Sequence, residues 1–370
     1  MRVLILNERD PRHPKAGGAE IHVAEIFDRL AARGISVTQF ACGFPDASDR
    51  EDVGGLHVER LGGIPAYYAR AAIACARQTH RDRFDVVVEC LNKMPFLAPA
   101  YSGVPVLALC HHLFGETAFE QVAWPIAAAV WSVERLIPRL YRSARFVVIS
   151  ESTRDDLARR GVDADCIEVH HPGIRHPALT PLPVEARGHG VVYLGRLERY
   201  KNVDLLLRAM AALSSRFPEA QLTIIGEGSE RAHLETLASE LGIADRTCFA
   251  GFVTDARRDE ILAAARVCVC PSTKEGWGLT VIESNAVGTP NVASDAPGLR
   301  DSVRDGETGF LVPVGDVAGF TDRIGTLLGD DAIASRLSRA ASAWALHFEW
   351  DRAAEQMEAA LESARHGRIR

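Results

Sequence analysis

Two hydrophobic periods alternate along the chain. Short runs rich in β-branched residues, at Val3 to Leu6, Ile35 to Phe40, Phe84 to Glu89, Val104 to Leu109 and Phe146 to Ser150, are separated by stretches with apolar positions at helical spacing. Runs without strict in-out alternation read as strands buried on both faces, and strands that take turns with helices imply a parallel sheet. In the Ile21 to Arg33 segment Val23, Ile26, Phe27 and Leu30 fall on one helical face, and Gly34 supplies the stop. The first half is therefore predicted to be doubly wound α/β.

The pattern pauses near His171-Pro172-Gly173, where Pro172, Pro177, Pro181 and Pro183 punctuate a linker, and it restarts at Val191. Strands are then predicted at Val191 to Leu194, Leu222 to Ile225, Val267 to Cys270 and Asn291 to Ala293. Helices are predicted at Val203 to Phe217, Glu230 to Leu241, Asp259 to Ala265, Leu279 to Ala286 and Phe320 to Leu328. Two Rossmann-like domains facing a central crevice follow, one over 1–172 and one over 190–350. A last helix over Asp351 to Arg365 either caps its own domain or crosses back; the domain assignment takes the second course and packs 351–370 on the first domain.

Length and composition agree. The 370 residues suit two domains, and 47% hydrophobic with 25% charged residues is ordinary for a folded chain. A formal charge of −7 indicates neither a nucleic-acid protein nor a polybasic membrane arm. The longest apolar candidate, Val122 to Trp131, is too short to span a bilayer and Pro125 interrupts it. The opening residues read as a first core strand, not as a signal peptide, so a cytoplasmic location is expected. The cysteines lack Cys-x-x-Cys spacing and are expected reduced, mostly buried; Cys268 and Cys270 share one strand face. Phe119 to Arg145 is apolar, aromatic and basic toward its end, and reads as a core-packed or subunit-interface helix pair with at most peripheral membrane contact.

Candidate chemistry sits where strands end. Lys274-Glu275-Gly276-Trp277-Gly278-Leu279 follows a strand and opens the helix that carries Glu283. Glycines at a helix start expose N–H groups that suit a diphosphate, and two carboxylates can accept hydrogen bonds from sugar diols. Either Glu alone would read as a solvated charge; the combination points to a site. After Val191 to Leu194 come Gly195, Arg196 and Lys201, a sharp turn with two cations suited to a diphosphate, although a solvated basic patch is the plainer alternative. Gly17-Gly18-Ala19-Glu20 is another glycine-rich helix start, without the spacing of a dinucleotide fingerprint or a P-loop. His111 follows a strand, and Gly226-Glu227-Gly228 allows close ligand approach or is an ordinary turn. No metal spacing is present, so no metal site and no cofactor are expected.

These segments, in this order and spacing, resemble the retaining glycosyltransferases of family four with the GT-B fold. The likeness covers nearly the whole chain and is most specific over 191–315, where Gly306-Glu307-Thr308-Gly309-Phe310-Leu311-Val312 also matches. It implies a nucleotide-sugar donor, a UDP-sugar first and a GDP-sugar second, held by the C-terminal domain, and a hydroxyl of a glycan, lipid-linked or small-molecule acceptor, its identity unknown, held by the N-terminal one. By the same resemblance Glu275 contacts sugar hydroxyls, the N–H groups of Gly276, Trp277, Gly278 and Leu279 face sugar and diphosphate, and Glu283 binds the ribose. Arg196 and Lys201 neutralise the diphosphate, Gly17 and Gly18 let it approach, and His111 lies near the sugar. His111-His112 departs from the frequent His-Asp form. A nucleotide-sugar epimerase and a non-catalytic nucleotide-sugar-binding protein are the alternatives.

Overall fold

The computed structural model describes residues 1–81, 83–115, 119 and 123–367. The chain divides into two compact units, Met1–Gly173 with Glu349–Arg370, and Ile174–Phe348. In the first unit eight strands form one sheet: β1 (Arg2–Leu6), β2 (Ser36–Ala41), β3 (Arg50–Val53), β4 (Leu56–Arg60), β5 (Val86–Leu91), β6 (Val106–Cys110), β7 (Arg145–Val148) and β8 (Ile167–Val169). Their order is β3-β4-β2-β1-β5-β6-β7-β8, parallel throughout except for the antiparallel β3–β4 pair.

Both faces of this sheet are buried, as the unbroken apolar runs require. On β1, Val3 and Ile5 point to a core that contains Val23, Ile26, Phe27 and Leu30 of the Gly18–Ala32 helix. Leu4 and Leu6 point the other way, to Phe40, Tyr67, Ala71 and Cys75, with the last three on the Ile64–Thr79 helix. Period two on a strand thus feeds two cores at once. The Trp350–His366 helix lies on the first of them, where Trp350, Ala353, Ala354, Met357, Ala360, Leu361 and Ala364 are buried.

In the Phe119 to Arg145 stretch, of which 120–122 fall outside the described residues, the later part is core-packed through Ile137, Tyr141 and Ala144, whereas the first helix is not. That Trp124–Glu134 helix turns Ala127 and Glu134 inward, while Trp124 and Ile126 are 72% and 58% exposed. The inward Glu134 carboxylate accepts the N–H groups of Phe114 and Gly115, at 2.7 and 2.8 Å, which explains a buried charge there. Among the described residues no helix is long and apolar enough to cross a membrane.

The second unit is a six-stranded, all-parallel sheet of β9 (Gly190–Leu194), β10 (Gln221–Ile225), β11 (Thr247–Gly251), β12 (Val267–Cys270), β13 (Asn291–Ser294) and β14 (Gly309–Val312). Its order, β11-β10-β9-β12-β13-β14, reverses direction between β9 and β12. Around it lie the helices Val203–Leu213, Arg231–Glu240, Asp255–Ala264, Leu279–Ala286, Val317–Gly329 and Asp331–Ala345. Cys268 and Cys270 are both buried, and all eight cysteines are free, with Cys248 exposed and Cys166 half-buried.

The proline-spaced segment is no loose linker. Buried Arg187 donates to the carbonyls of Leu182, at 2.7 Å, and Gly288, at 2.8 Å, and sews the segment to the second unit. Where the chain passes between units its two strands run together: the N–H of Ile174 donates to the carbonyl of Phe348 at 3.1 Å.

Candidate functional site

In an open parallel sheet the natural ligand position is outside the carboxyl ends of the strands where the strand order reverses. In the second unit that point is the gap between β9 and β12, and the loops that follow these two strands are Gly195–Asn202 and Pro271–Gly278. They are stitched to each other. The Thr273 N–H donates to the Tyr200 carbonyl at 2.9 Å, and the Asn202 side-chain amide donates to the Pro271 carbonyl at 3.1 Å. Asn202 adopts a left-handed conformation (φ 51°), tolerable for Asn, and starts the Val203–Leu213 helix from it.

Across this seam Lys201 donates to Glu275, both side chains being mostly buried. Burial opposes the charge on Lys201, but the Glu275 carboxylate and the Tyr200 phenol outweigh it and hold the ammonium above its ordinary pKa. Tyr200 serves both cations: its ring lies 5.2 Å from the Lys201 nitrogen, and its hydroxyl accepts from Arg196 at 3.0 Å. Sequence reasoning brought Arg196 and Lys201 forward as one pair and Glu275 in a separate segment; it gave no role to Tyr200, the group between the cations.

The glycines divide by what demands them. Gly226 sits at φ +132°, and a Cβ there would overlap the Gly195 carbonyl, so Gly226 is needed for the β10 loop to pack on the β9 loop. Gly228 packs in the same way on Leu197. Gly278 has φ +88° and precedes the Leu279–Ala286 helix, with Ser302 Oγ 2.8 Å from any added Cβ. Trp277, 2% exposed as a whole residue, packs its ring against Phe348 with centroids 5.3 Å apart, so the indole is part of the interior of the unit.

Glu283, on that same helix, has a partner the sequence did not suggest. Arg258 of the Asp255–Ala264 helix donates to its carboxylate at 3.1 Å and to Asp259 at 3.0 Å, and Asp259 accepts from Arg175 at 2.6 Å. Burial lifts the Glu283 pKa above the ordinary value, with Arg258 pulling against it.

In the first unit the candidate groups again follow carboxyl ends. The Gly17 N–H donates to the Glu20 carboxylate at 2.8 Å, a local cap for the Gly18–Ala32 helix. A Cβ on Gly17 would meet nothing closer than 3.8 Å, so the protein's own packing does not require glycine there. His111 directly follows β6, is buried, and lies 3.0 Å from His22 of the same unit. After β1 and β5 come Glu8 and Lys93, 3.5 Å apart, with the Tyr68 hydroxyl donating to Glu8 at 2.8 Å. Glu8, Lys93, Tyr68 and His22 carried no signal in the sequence beyond their residue types.

Comparison with known proteins supplies the family. Residues 186–344 match the family Glycosyl transferases group 1, and residues 16–176 match Glycosyltransferase Family 4. The D-inositol 3-phosphate glycosyltransferase of Acidothermus cellulolyticus is 31% identical to the chain, over 92% of this chain and 84% of that protein. The chain belongs to the family-four glycosyltransferases of the GT-B fold. A second relative of this glycosyltransferase, the phosphatidyl-myo-inositol mannosyltransferase of Mycobacterium leprae, is 30% identical, over 94% and 93% of the two chains. Among solved structures, sucrose-phosphate synthase from Thermosynechococcus elongatus superposes with a TM-score of 0.83 at 25% identity, over 98% of each chain.

Proposed function

We propose that this glycosyltransferase moves a sugar from a nucleotide-diphosphate donor to a hydroxyl of its acceptor with retention at the anomeric carbon. The observation that carries the reading is the Lys201–Glu275 pair on two stitched loops at the reversal of strand order. There Glu275 accepts hydrogen bonds from sugar hydroxyls, the N–H groups of Gly276 to Leu279 face sugar and diphosphate, and Glu283 holds the ribose diol. Arg196 and Lys201 stabilise the negative charge that grows on the leaving phosphate. Gly195, Gly226 and Gly228 shape the loops, and Gly17, Gly18 and His111 are the contribution of the first unit.

As the bond from the anomeric carbon to the leaving phosphate breaks, the acceptor oxygen bonds to that carbon on the same face. The departing phosphate oxygen takes the acceptor's proton. Positioning and preorganised charge then supply the catalysis, with no side chain as nucleophile. The names of two relatives, a D-inositol 3-phosphate glycosyltransferase and a phosphatidyl-myo-inositol mannosyltransferase, support a phosphorylated polyol as acceptor.

The test is a thermal-shift panel of nucleotide sugars, UDP-sugars first and GDP-sugars second, followed by transfer to inositol phosphates. The anomeric configuration of the product is then read by NMR. Retained configuration in an acceptor-dependent product is the expected result. Conversion of the donor without any acceptor would point to an epimerase, and binding without turnover to a non-catalytic protein.

A further inference from the structure

His22 and His111 meet through ring nitrogens, His22 Nδ1 to His111 Nε2 at 3.0 Å, with the rings edge to face at 88°. They come from different elements: His22 from the Gly18–Ala32 helix that follows Gly17-Gly18, His111 from the end of β6. Both are almost fully buried, and the Trp350 ring flanks His22 at 5.9 Å. The outer nitrogens, His22 Nε2 and His111 Nδ1, have no hydrogen-bond partner among the described residues. A buried polar atom without a partner calls for an explanation.

Two neutral imidazoles have two N–H groups between them, and one must lie in the shared bond. The outer nitrogens therefore differ: one carries hydrogen and the other is bare. If His22 donates, His111 presents Nδ1–H; if His111 donates, its Nδ1 is a bare acceptor. Sugar hydroxyls both donate and accept and would meet either arrangement, but the diphosphate and ring oxygens of a nucleotide sugar only accept, so only the first arrangement serves all of them. We propose that His22 is a positioning residue that donates from Nδ1 to His111 Nε2 and so fixes His111 with Nδ1–H available to the donor's oxygens. The inference rests on the reading of His111 as a donor contact. Burial depresses the pKa of both rings, with His170 acting in the same sense on His22, and His22, His112 and Lys93 on His111, which keeps the pair neutral.

The test joins NMR and kinetics. In the unliganded wild-type chain, nitrogen-15 correlation spectra, assigned with a His111→Asn variant, are expected to show His111 protonated at Nδ1. His22→Phe, which cannot donate, is expected to lower kcat by about tenfold or more with a donor KM changed by less than about threefold, as loss of orientation does. His22→Asn, whose side-chain amide can stand in for Nδ1–H, is expected to keep kcat within about threefold of wild type. Protonation of wild-type His111 at Nε2, or equal kcat losses in the Phe and Asn variants, would overturn the role of His22. Full turnover in His111→Ala would instead overturn the donor contact itself, and these outcomes are separable because the wild-type spectrum needs no variant at His22.

Discussion

At the scale of residues, the candidate donor site consists of charges held by partners distant in the chain. Lys201 and Glu275 are 74 positions apart, and Arg258 and Glu283 are 25 apart. Residue type and strand-end position made Arg196, Lys201, Glu275 and Glu283 legible as candidates, because glycine turns and helix starts are local signals. Arg258 and His22 were not legible, because nothing local marks which distant arginine or histidine a fold will bring into contact; Tyr200, adjacent to Lys201 and four positions from Arg196, lay within the candidate turn but carried no signal of its own. We predict that Lys201→Ala and Arg196→Ala each lower turnover by about 10² or more, the usual loss for a preorganised charge at a developing anion. Steady-state kinetics on the folded variants decides it, and near-normal turnover in both would remove the diphosphate assignment. The Glu283 pKa gives a second test. Burial raises it above the ordinary 4.5 while Arg258 restrains it. The ionised form, which we propose accepts from the ribose, is therefore lost on acidification at a higher pH than for an ordinary Glu. Donor affinity should be full above the folded pKa and fall as pH drops through it. In Arg258→Gln the restraint is gone, so the acid limb should move to higher pH; calorimetric titration of nucleotide across pH reads the midpoint, and an unmoved midpoint would count against the pairing. The stability linkage has the opposite sense: a raised folded pKa means the native state holds this proton more tightly, so Glu283 favours folding more at low pH.

Among elements, those with a sharp period were readable and those held by neighbours were not. The Leu279–Ala286 helix coincides with its expected span, and the apolar stripe Val23, Ile26, Phe27, Leu30 is buried as a unit. β3, with the sequence Arg-Glu-Asp-Val, has no apolar pattern, and it is a strand because β4 pairs with it antiparallel. The Asp331–Ala345 helix escaped as well: its inward face is mostly Ala and Ser, whose small side chains give a weak hydrophobic signal yet permit close packing on the Leu279–Ala286 helix. The Trp350–His366 helix was visible from its own spacing, but only the core of the first unit shows why it is needed. Met357 and Leu361 are both 0% exposed there, among Val23, Ile26 and Phe27. We predict that Leu361→Ala or Met357→Ala destabilises the first unit by about 2 to 5 kcal/mol, the range for buried large-to-small changes. Denaturant unfolding followed by a probe in that unit measures it, and a loss under about 1 kcal/mol would mean that the helix does not carry core load.

For the whole molecule, the decisive fact is how the chain is shared between the units. The second is continuous from Ile174 to Phe348, with its own six-stranded sheet and its own core, whereas the first is made of two pieces and is complete only when Glu349–Arg370 has joined it. The ends of the continuous unit are already adjacent, since Ile174 donates to Phe348, so excision there cuts two neighbouring backbone strands and leaves no element split. A domain with its own core can fold alone. Every group we assign to sugar hydroxyls, diphosphate and ribose except Gly17, Gly18 and His111 lies within it. We therefore predict that residues 174–348, produced alone, fold cooperatively and bind a nucleoside diphosphate with affinity within about tenfold of the full chain, a difference of about 1.4 kcal/mol. The same fragment should transfer no sugar, because the first unit, which we propose holds the acceptor and contributes His111, is gone. Ligand stabilisation supplies the readout: at about 100 times Kd the nucleotide should add about 2.7 kcal/mol to the fragment's stability, as a shift of its thermal transition. A well-folded fragment whose transition does not move at that concentration would mean that the first unit supplies most of the nucleotide affinity, and the assignment of the donor to the β9–β12 loops would have to be abandoned.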